Sequence, residues 1–180
     1  MLFNDLLIEQ DIDPADVLVL RHTPRVPEDG SLRKILPRLA ADYPDVFNAY
    51  QSTQPVKVEA EMLRSKYVAP FIGLEKRKGT TEQTAVFVGL YKVGEHRPIT
   101  QEEFWNVPAH QQLKEYGMQR DVEAHPRPSV LWFDLTITDF YKQWKGKLVI
   151  EWPRPPIKRS RFASKAKFPI HAILEDSILL

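Results

Sequence analysis

Apolar and polar positions follow two different periods along this chain, which together predict a mixture of strands and helices. Runs of apolar residues and strict alternation predict strands at residues 17–20, 85–93 and 129–138, in KLVIEW and in FPIHAIL. Apolar residues spaced three and four apart predict helices over residues 2–10, from Ser31, from Pro44 (DVFNAYQ) and over 57–72, and a short helical turn in TDFYKQWKG.

Local signals add helix boundaries, turns and loops. Thr100 and Glu103 fit the capping box T-x-x-E, which predicts that a helix begins there. Pro108 interrupts this helix, and Gly117 suits its end. Segment 85–93 is apolar on both alternating faces, which predicts a central strand. The glycine and proline of 94–98 predict a turn, and loops are predicted at 74–84 and 119–128.

The order of these elements predicts the fold class. Strands alternate with helices and loops of uneven length, which favours a single α+β domain over residues 1–180. We expect a curved mixed sheet or a partly closed β-barrel, flanked by helices. A chain of 180 residues buries enough surface to be stable without disulfides or a structural metal.

The absence of cysteine excludes disulfides, thiolate zinc sites and a cysteine nucleophile. It is compatible with a reducing cytoplasm. The N-terminal MLFNDLLIEQD lacks the basic region, apolar core and cleavage site of a signal peptide, and no apolar run approaches the length of a membrane span. We therefore expect a cytoplasmic protein without a membrane partner.

Charge is balanced overall but locally segregated. The chain has 25 basic and 24 acidic residues, for a net charge of +1. One stretch, 154–167, is basic without an acidic residue, through Arg154, Lys158, Arg159, Arg161, Lys165 and Lys167. Such a run is either a solvated surface or a phosphate-contacting segment. Aromatic residues interleave with these cations and could stack on bases, so both interpretations stay open.

Catalytic motifs are absent from the sequence. No two of the five histidines are spaced i, i+4, no serine lies in a glycine-flanked elbow, and the seven glycines are dispersed. We predict no catalytic residue, no metal site and no cofactor. A cryptic nuclease or hydrolase is the alternative with the least support.

A binding site for an aromatic ligand is better supported. Trp132 and Asp134 share one face of the strand at 129–138. An aromatic ring beside a carboxylate suits a flipped base, because the ring stacks and the acid accepts a hydrogen bond from an exocyclic amine. The alternative for each aromatic residue is ordinary core packing. The predicted base pocket is lined by Tyr50, Gln51, Tyr91, Trp105, Trp132 and Asp134.

A second candidate group is the pair Arg21 and His22, which ends the apolar run in VLVLRHTPR. The two side chains either cap the strand and pair with a nearby carboxylate, or hold a phosphate or a base edge at the rim of the sheet. In the second case they join the residues of 154–167 as a nucleic-acid-binding group.

Several long phrases of the sequence together resemble a known family. In order they are VLVLRHTPR, VFNAYQSTQ, YVAPFIG, AVFVGLYKV, SVLWFDLTITDFYKQWKGKLVIEWP and PIHAILED. The series resembles the N-terminal region of a group of bacterial GIY-YIG nuclease family proteins, over roughly residues 17–175. The nuclease motif is absent: Gly89-Leu90-Tyr91 matches only its first half, and no second Tyr-x-Gly strand follows.

The resemblance implies a targeting or sensing module that works beside a DNA-cutting domain, as in modification-dependent restriction. By a looser analogy, a curved sheet with an aromatic pocket is similar to PUA-like readers of modified bases. We therefore expect a DNA-binding, modified-base-sensing specificity domain of a prokaryotic defence nuclease. Its partners would be double-stranded DNA and a nuclease domain in cis or in trans. The alternative is an interaction or dimerisation module without nucleic-acid contact.

Overall fold

The computed structural model of the chain describes residues 2–22, 40, 44–55, 58–73, 83–108, 111, 130–140, 142–152 and 172–174. The helices are α1 (Phe3–Ile8), α2 (Pro44–Ser52), α3 (Glu59–Leu63) and α4 (Gln101–Asn106), with 3₁₀ turns at Pro14–Asp16 and Lys142–Trp144. The strands are β1 (Val17–His22), β2 (Thr53–Pro55), β3 (Tyr67–Gly73), β4 (Gln83–Phe87), β5 (Tyr91–Ile99), β6 (Val130–Ile137), β7 (Leu148–Trp152) and β8 (Ala172–Leu174).

These strands form one open sheet in the order β2-β6-β5-β3-β4-β7-β8, and β1 pairs with β3. β1 is parallel to β3, whereas the other pairs described are antiparallel. The predicted α+β class and mixed sheet are confirmed. The partly closed barrel is not supported, because within the described strands the sheet ends at β2 and β8 and these two do not pair.

The long central strand predicted at 85–93 is divided into β4 and β5 by a bulge. Both strands pair with the same edge of β3: Phe71 lies opposite Phe87, and Val68 lies opposite Tyr91. Three residues of the long strand therefore face two residues of β3 between these pairs. Gly89 lies in this bulge with φ of 142°, a backbone conformation that favours glycine.

The helix predicted over 57–72 is wrong for its second half. α3 ends at Leu63, and Tyr67–Gly73 forms strand β3. β3 is buried on both faces, so its apolar residues show no period that separates a strand from a buried helix. Pro70 is the residue that argues against a helix here, because proline breaks a helix interior but is tolerated in a strand beside a bulge.

The turn predicted at 94–98 is also wrong, because these residues lie within β5. Most side chains of β5 are exposed, and the strand has a register shift between Val93 and His96 that accommodates Gly94. An exposed strand with a bulge and a proline has the composition of a turn, which explains the error.

The remaining predictions on described residues agree with the structure. They are the helices near residue 2 and from Pro44, the start of a helix at Thr100, the helical turn at 142–144, the strands at 17–20, 129–138 and KLVIEW, and the last three residues of FPIHAIL. The helix from Thr100 does not run unbroken towards Gly117, because α4 ends at Asn106 and Val107 is extended. The helix predicted from Ser31, the end of the helix at Gly117 and most of the two predicted loops lie outside the described residues.

Both faces of the sheet are covered by apolar clusters. On one face, α1 packs Phe3 against Phe71, with ring centroids 5.3 Å apart, and Phe71 packs against Phe87 at 5.5 Å. On the other face, Met62 of α3 packs in a cluster with Phe133 of β6. Successive residues of β1 enter opposite clusters, as the pleat of a strand requires. We call the face with Met62 and Phe133 the inner face of β5 and β6, and the opposite face their outer face.

Candidate functional site

The side chains of β6 divide between these two faces as the sequence predicted. Leu131, Phe133 and Leu135 are buried on the inner face. Trp132 is half-buried on the outer face, where Asp134 is exposed. The aromatic ring and the carboxylate singled out in the sequence are therefore neighbours on one side of the sheet.

A direct hydrogen bond joins the two residues. The indole Nε1–H of Trp132 donates to Oδ1 of Asp134 over 3.0 Å. Residues two apart on a strand point to the same face, so their side chains can meet without distortion of the backbone. The bond restricts the orientation of both the ring and the carboxylate.

Strand β5 adds cations to the outer face. Arg97 lies opposite Trp132, and Lys92 lies opposite Thr136. The Arg97 side chain is 59% exposed and its Nη1 lies 3.6 Å from Oε1 of Glu103 at the start of α4. We call Lys92, Arg97, Trp132, Asp134 and Thr136 the outer patch. It combines one aromatic ring, one carboxylate and two cations.

The bulge of β5 lies opposite Asp134. A Cβ atom built on Gly94 would be 3.1 Å from the carbonyl oxygen of Asp134 and 3.2 Å from its Cβ. The absence of a side chain at Gly94 therefore lets β5 approach the backbone of Asp134 closely. The sequence around this glycine has the pattern of a turn, so it did not predict Lys92, Gly94 and Arg97 as neighbours of Trp132.

Tyr91 and Gln51 lie elsewhere, on the inner face. Tyr91 is 3% exposed and belongs to the cluster with Phe133. Burial raises the pKa of Tyr91 to about 12, and hydrogen bonding with the fully buried Gln51 side chain opposes that rise. Nε2 of Gln51 also donates to Oδ1 of Asn48, and Nδ2 of Asn48 donates to the carbonyl oxygen of Leu135. These polar groups attach α2 to the sheet.

The predicted base pocket is therefore divided by the sheet. Tyr91 lies on the inner face, and Trp132 and Asp134 lie on the outer face, so the structure does not bring all three into one pocket. Tyr50 is half-buried on α2. Trp105 is half-buried on α4 and packs edge-on against Phe104, with ring centroids 4.8 Å apart.

The predicted phosphate-binding residues are only partly described. Arg21 and His22 lie at the end of β1, opposite Phe71 and Ile72 of β3, and their side chains are outside the described part of the structure. The same holds for all atoms of Arg154, Lys158, Arg159, Arg161, Lys165 and Lys167. Their role in binding stays a prediction.

The described residues contain no group of three or more histidine, cysteine or acidic side chains placed to hold a metal ion. None of their helices has the length and apolarity needed to cross a membrane.

Comparisons of the chain with protein-family models, with curated proteins and with solved structures found no match. The resemblance to the GIY-YIG nuclease family proteins therefore stays a prediction.

Proposed function

We propose that this chain is a DNA-binding specificity domain that reads a flipped base, including a modified one, on double-stranded DNA. The observation that supports it is the outer patch, where the Trp132 ring is hydrogen-bonded to an exposed carboxylate and faces Arg97 across the strand pair. A flipped base is bound by stacking and by hydrogen bonds to its edge, and these residues supply both.

The cations would contact the DNA backbone. Lys92 and Arg97 flank the aromatic ring and carboxylate on β5, and the basic segment 154–167 would extend this contact along the duplex. Because the rest of the chain is net acidic, attraction to phosphate would be local to these groups. Arg97 keeps Glu103 as an intramolecular partner, which would restrain its side chain before DNA binds.

The setting of this activity is proposed from the sequence resemblance. The domain would work in the cytoplasm with a nuclease domain in cis or in trans, in prokaryotic restriction or defence. An open sheet with its ligand-binding residues on one face supports a PUA-like mode of reading only by analogy.

The test is binding of the chain to matched duplexes, with and without base modifications, over a range of salt concentrations. Binding should weaken linearly on a log–log salt plot, and Arg97→Ala should lower the slope by about 1 if it contacts one phosphate. Arg64→Ala is the matched control, because Arg64 is exposed at the residue that follows α3, away from the outer patch. Failure to bind any duplex at low salt would exclude the proposed function.

A second candidate, self-association, is favoured by two large apolar side chains near the end of β6. Ile137 and Phe140 are 45% and 39% exposed. If these residues form a dimer contact, light scattering should detect a dimer that Phe140→Ser dissociates. Leu63→Ser on α3, where the leucine is 54% exposed, is the control that should leave the dimer intact. A monomer at all concentrations would exclude this candidate.

A further inference from the structure

The hydrogen bond between Trp132 and Asp134 leaves a specific pattern of donors and acceptors on the outer patch. An indole N–H can only donate, and an aspartate carboxylate can only accept. Oδ1 of Asp134 already accepts from Trp132. The remaining oxygen, Oδ2, therefore offers a ligand one further hydrogen-bond acceptor beside the aromatic ring.

Building on the proposed function, we infer that the outer patch selects a nucleobase that presents an exocyclic amine, as cytosine does at N4 and adenine does at N6. Oδ2 accepts a hydrogen bond from the amine, as carboxylates do from cytosine N4. Uracil and hypoxanthine carry a keto oxygen at the corresponding positions, and two acceptors facing each other repel. The amine is thus the feature that distinguishes bases at this site.

The same geometry predicts how the selectivity can be reversed. In Asp134→Asn, the amide has one acceptor and one donor group. The Trp132 N–H needs the acceptor, so the amide oxygen takes the place of Oδ1 and the amide NH₂ takes the place of Oδ2. The site then offers a donor, which suits a keto oxygen. Trp132 is therefore a positioning residue, because it decides which end of the amide faces the ligand.

The experiment uses duplexes in which a single cytosine or uracil lies opposite an abasic site, so that neither base has a pairing partner to lose. Adenine and hypoxanthine form a second matched pair. The wild-type chain should bind the amine-bearing member of each pair about tenfold more tightly, as one hydrogen bond to a charged group provides. Asp134→Asn should reverse this preference, and Asp134→Ala should abolish it.

A double variant tests the part played by the indole N–H. Trp132→Phe keeps an aromatic ring but removes the donor, so the amide of Asp134→Asn is free to turn either way. The preference for the keto base should disappear when both changes are combined. Asp134 is exposed and the amide has the same shape as the carboxylate, and circular dichroism of each variant checks that the fold is retained.

The outcomes separate the inference from the proposed function. Equal affinity for both members of each pair, or a wild-type preference for the keto base, overturns the inference while DNA binding stands. Reversal in Asp134→Asn that persists without the indole N–H overturns the role of Trp132. Absence of binding to every duplex at low salt overturns the inference and the proposed function together.

Discussion

Gly94 packs against Asp134 across the β5–β6 pair, so closely that a side chain at this position would require the two strands to shift. A Cβ at Gly94 would lie 3.1 Å from the Asp134 carbonyl oxygen, which is tighter than most Cβ contacts. The nearest atoms are the carbonyl oxygen and the Cβ of Asp134, which are held by the strand and cannot turn aside as the end of a flexible side chain can. The position of the Asp134 carboxylate therefore depends on a residue of the neighbouring strand.

The first prediction concerns this contact. Gly94→Ala should lower the free energy of unfolding by about 1–3 kcal/mol, as overpacking does, because β5 and β6 must move apart. Urea denaturation measures the change. Lys92→Ala, at an exposed position of the same strand, should change it by no more than about 0.5 kcal/mol. Equal effects of the two changes would contradict the close approach.

The second prediction concerns the bulge between β4 and β5. Gly89 has φ of 142°, and a Cβ there would lie 3.0 Å from Cε2 of Tyr91. Gly89→Ala should cost about 1–3 kcal/mol from backbone strain alone, before the contact with Tyr91 is counted. Thermal unfolding should show a clear loss. An unchanged melting temperature would mean that the bulge does not need this conformation.

The third prediction concerns pH and the helix that follows β5. Glu103 has a lowered pKa, mainly because its carboxylate accepts a 2.7 Å hydrogen bond from the Thr100 backbone N–H, with a smaller effect from Arg97. A folded-state pKa below the ordinary value of 4.5 contributes stability above pH 4.5. That contribution is lost as the pH falls from 4.5 through the lowered pKa.

Thermal unfolding between neutral and acidic pH measures this effect. Glu103→Gln should reduce the fall in melting temperature at acidic pH, because glutamine does not titrate. Thr100→Ala should cost about 1 kcal/mol at neutral pH, because it removes the hydroxyl that accepts from the Glu103 N–H. Identical pH profiles for the wild type and Glu103→Gln would show that the capping box does not govern acid stability.

The fourth prediction concerns alkaline pH. Burial raises the pKa of Tyr91 from 10.0 to about 12, so the unfolded chain loses this proton first as the pH rises. Stability should therefore decrease above pH 10, by at most about 1.4 kcal/mol per pH unit from this group, until the folded-state pKa is reached.

Tyr91→Phe should remove that part of the alkaline destabilisation. Tyrosinate formation is followed by ultraviolet absorbance in the folded wild type and in the variant. The difference between the two titrations gives the pKa of Tyr91. Tyr67→Phe is the control, since Tyr67 is only half-buried at the start of β3. A Tyr91 hydroxyl that titrates near pH 10 would contradict its place in the core.

The sequence was sufficient to predict elements that have one buried and one exposed face. It was insufficient to predict elements in which both faces are buried. β6 alternates buried and exposed residues, so its boundaries and the shared face of Trp132 and Asp134 followed from period two. β3 is buried on both faces and offered no period, so it was joined to the helix before it. The partners of Trp132 on β5 were not predicted, because a bulge interrupts the alternation of buried and exposed residues in β5. In addition, the sequence of one strand does not specify which strand pairs with it.

The parallel pairing of β1 with β3 has a consequence for how fast the molecule folds. Val17 pairs with Tyr67, so the pairing joins residues fifty positions apart, whereas Gly73 of β3 pairs with Ala85, only twelve positions away. Closing the longer loop costs more chain entropy, and β1 gains its partners only after that cost has been met. We therefore expect β3 and β4 to be structured in the folding transition state before β1 joins them.

Stopped-flow kinetics can test this order. Val19→Ala in β1 should mainly accelerate unfolding, whereas Phe87→Leu in β4 should mainly slow folding. The reverse assignment would place β1 in the nucleus. If β1 joins β3 after β4 does, it should also separate from β3 before β4 does, and its last two residues are Arg21 and His22. The segment that ends in these two residues would then have less kinetic protection than the β3–β4 pair.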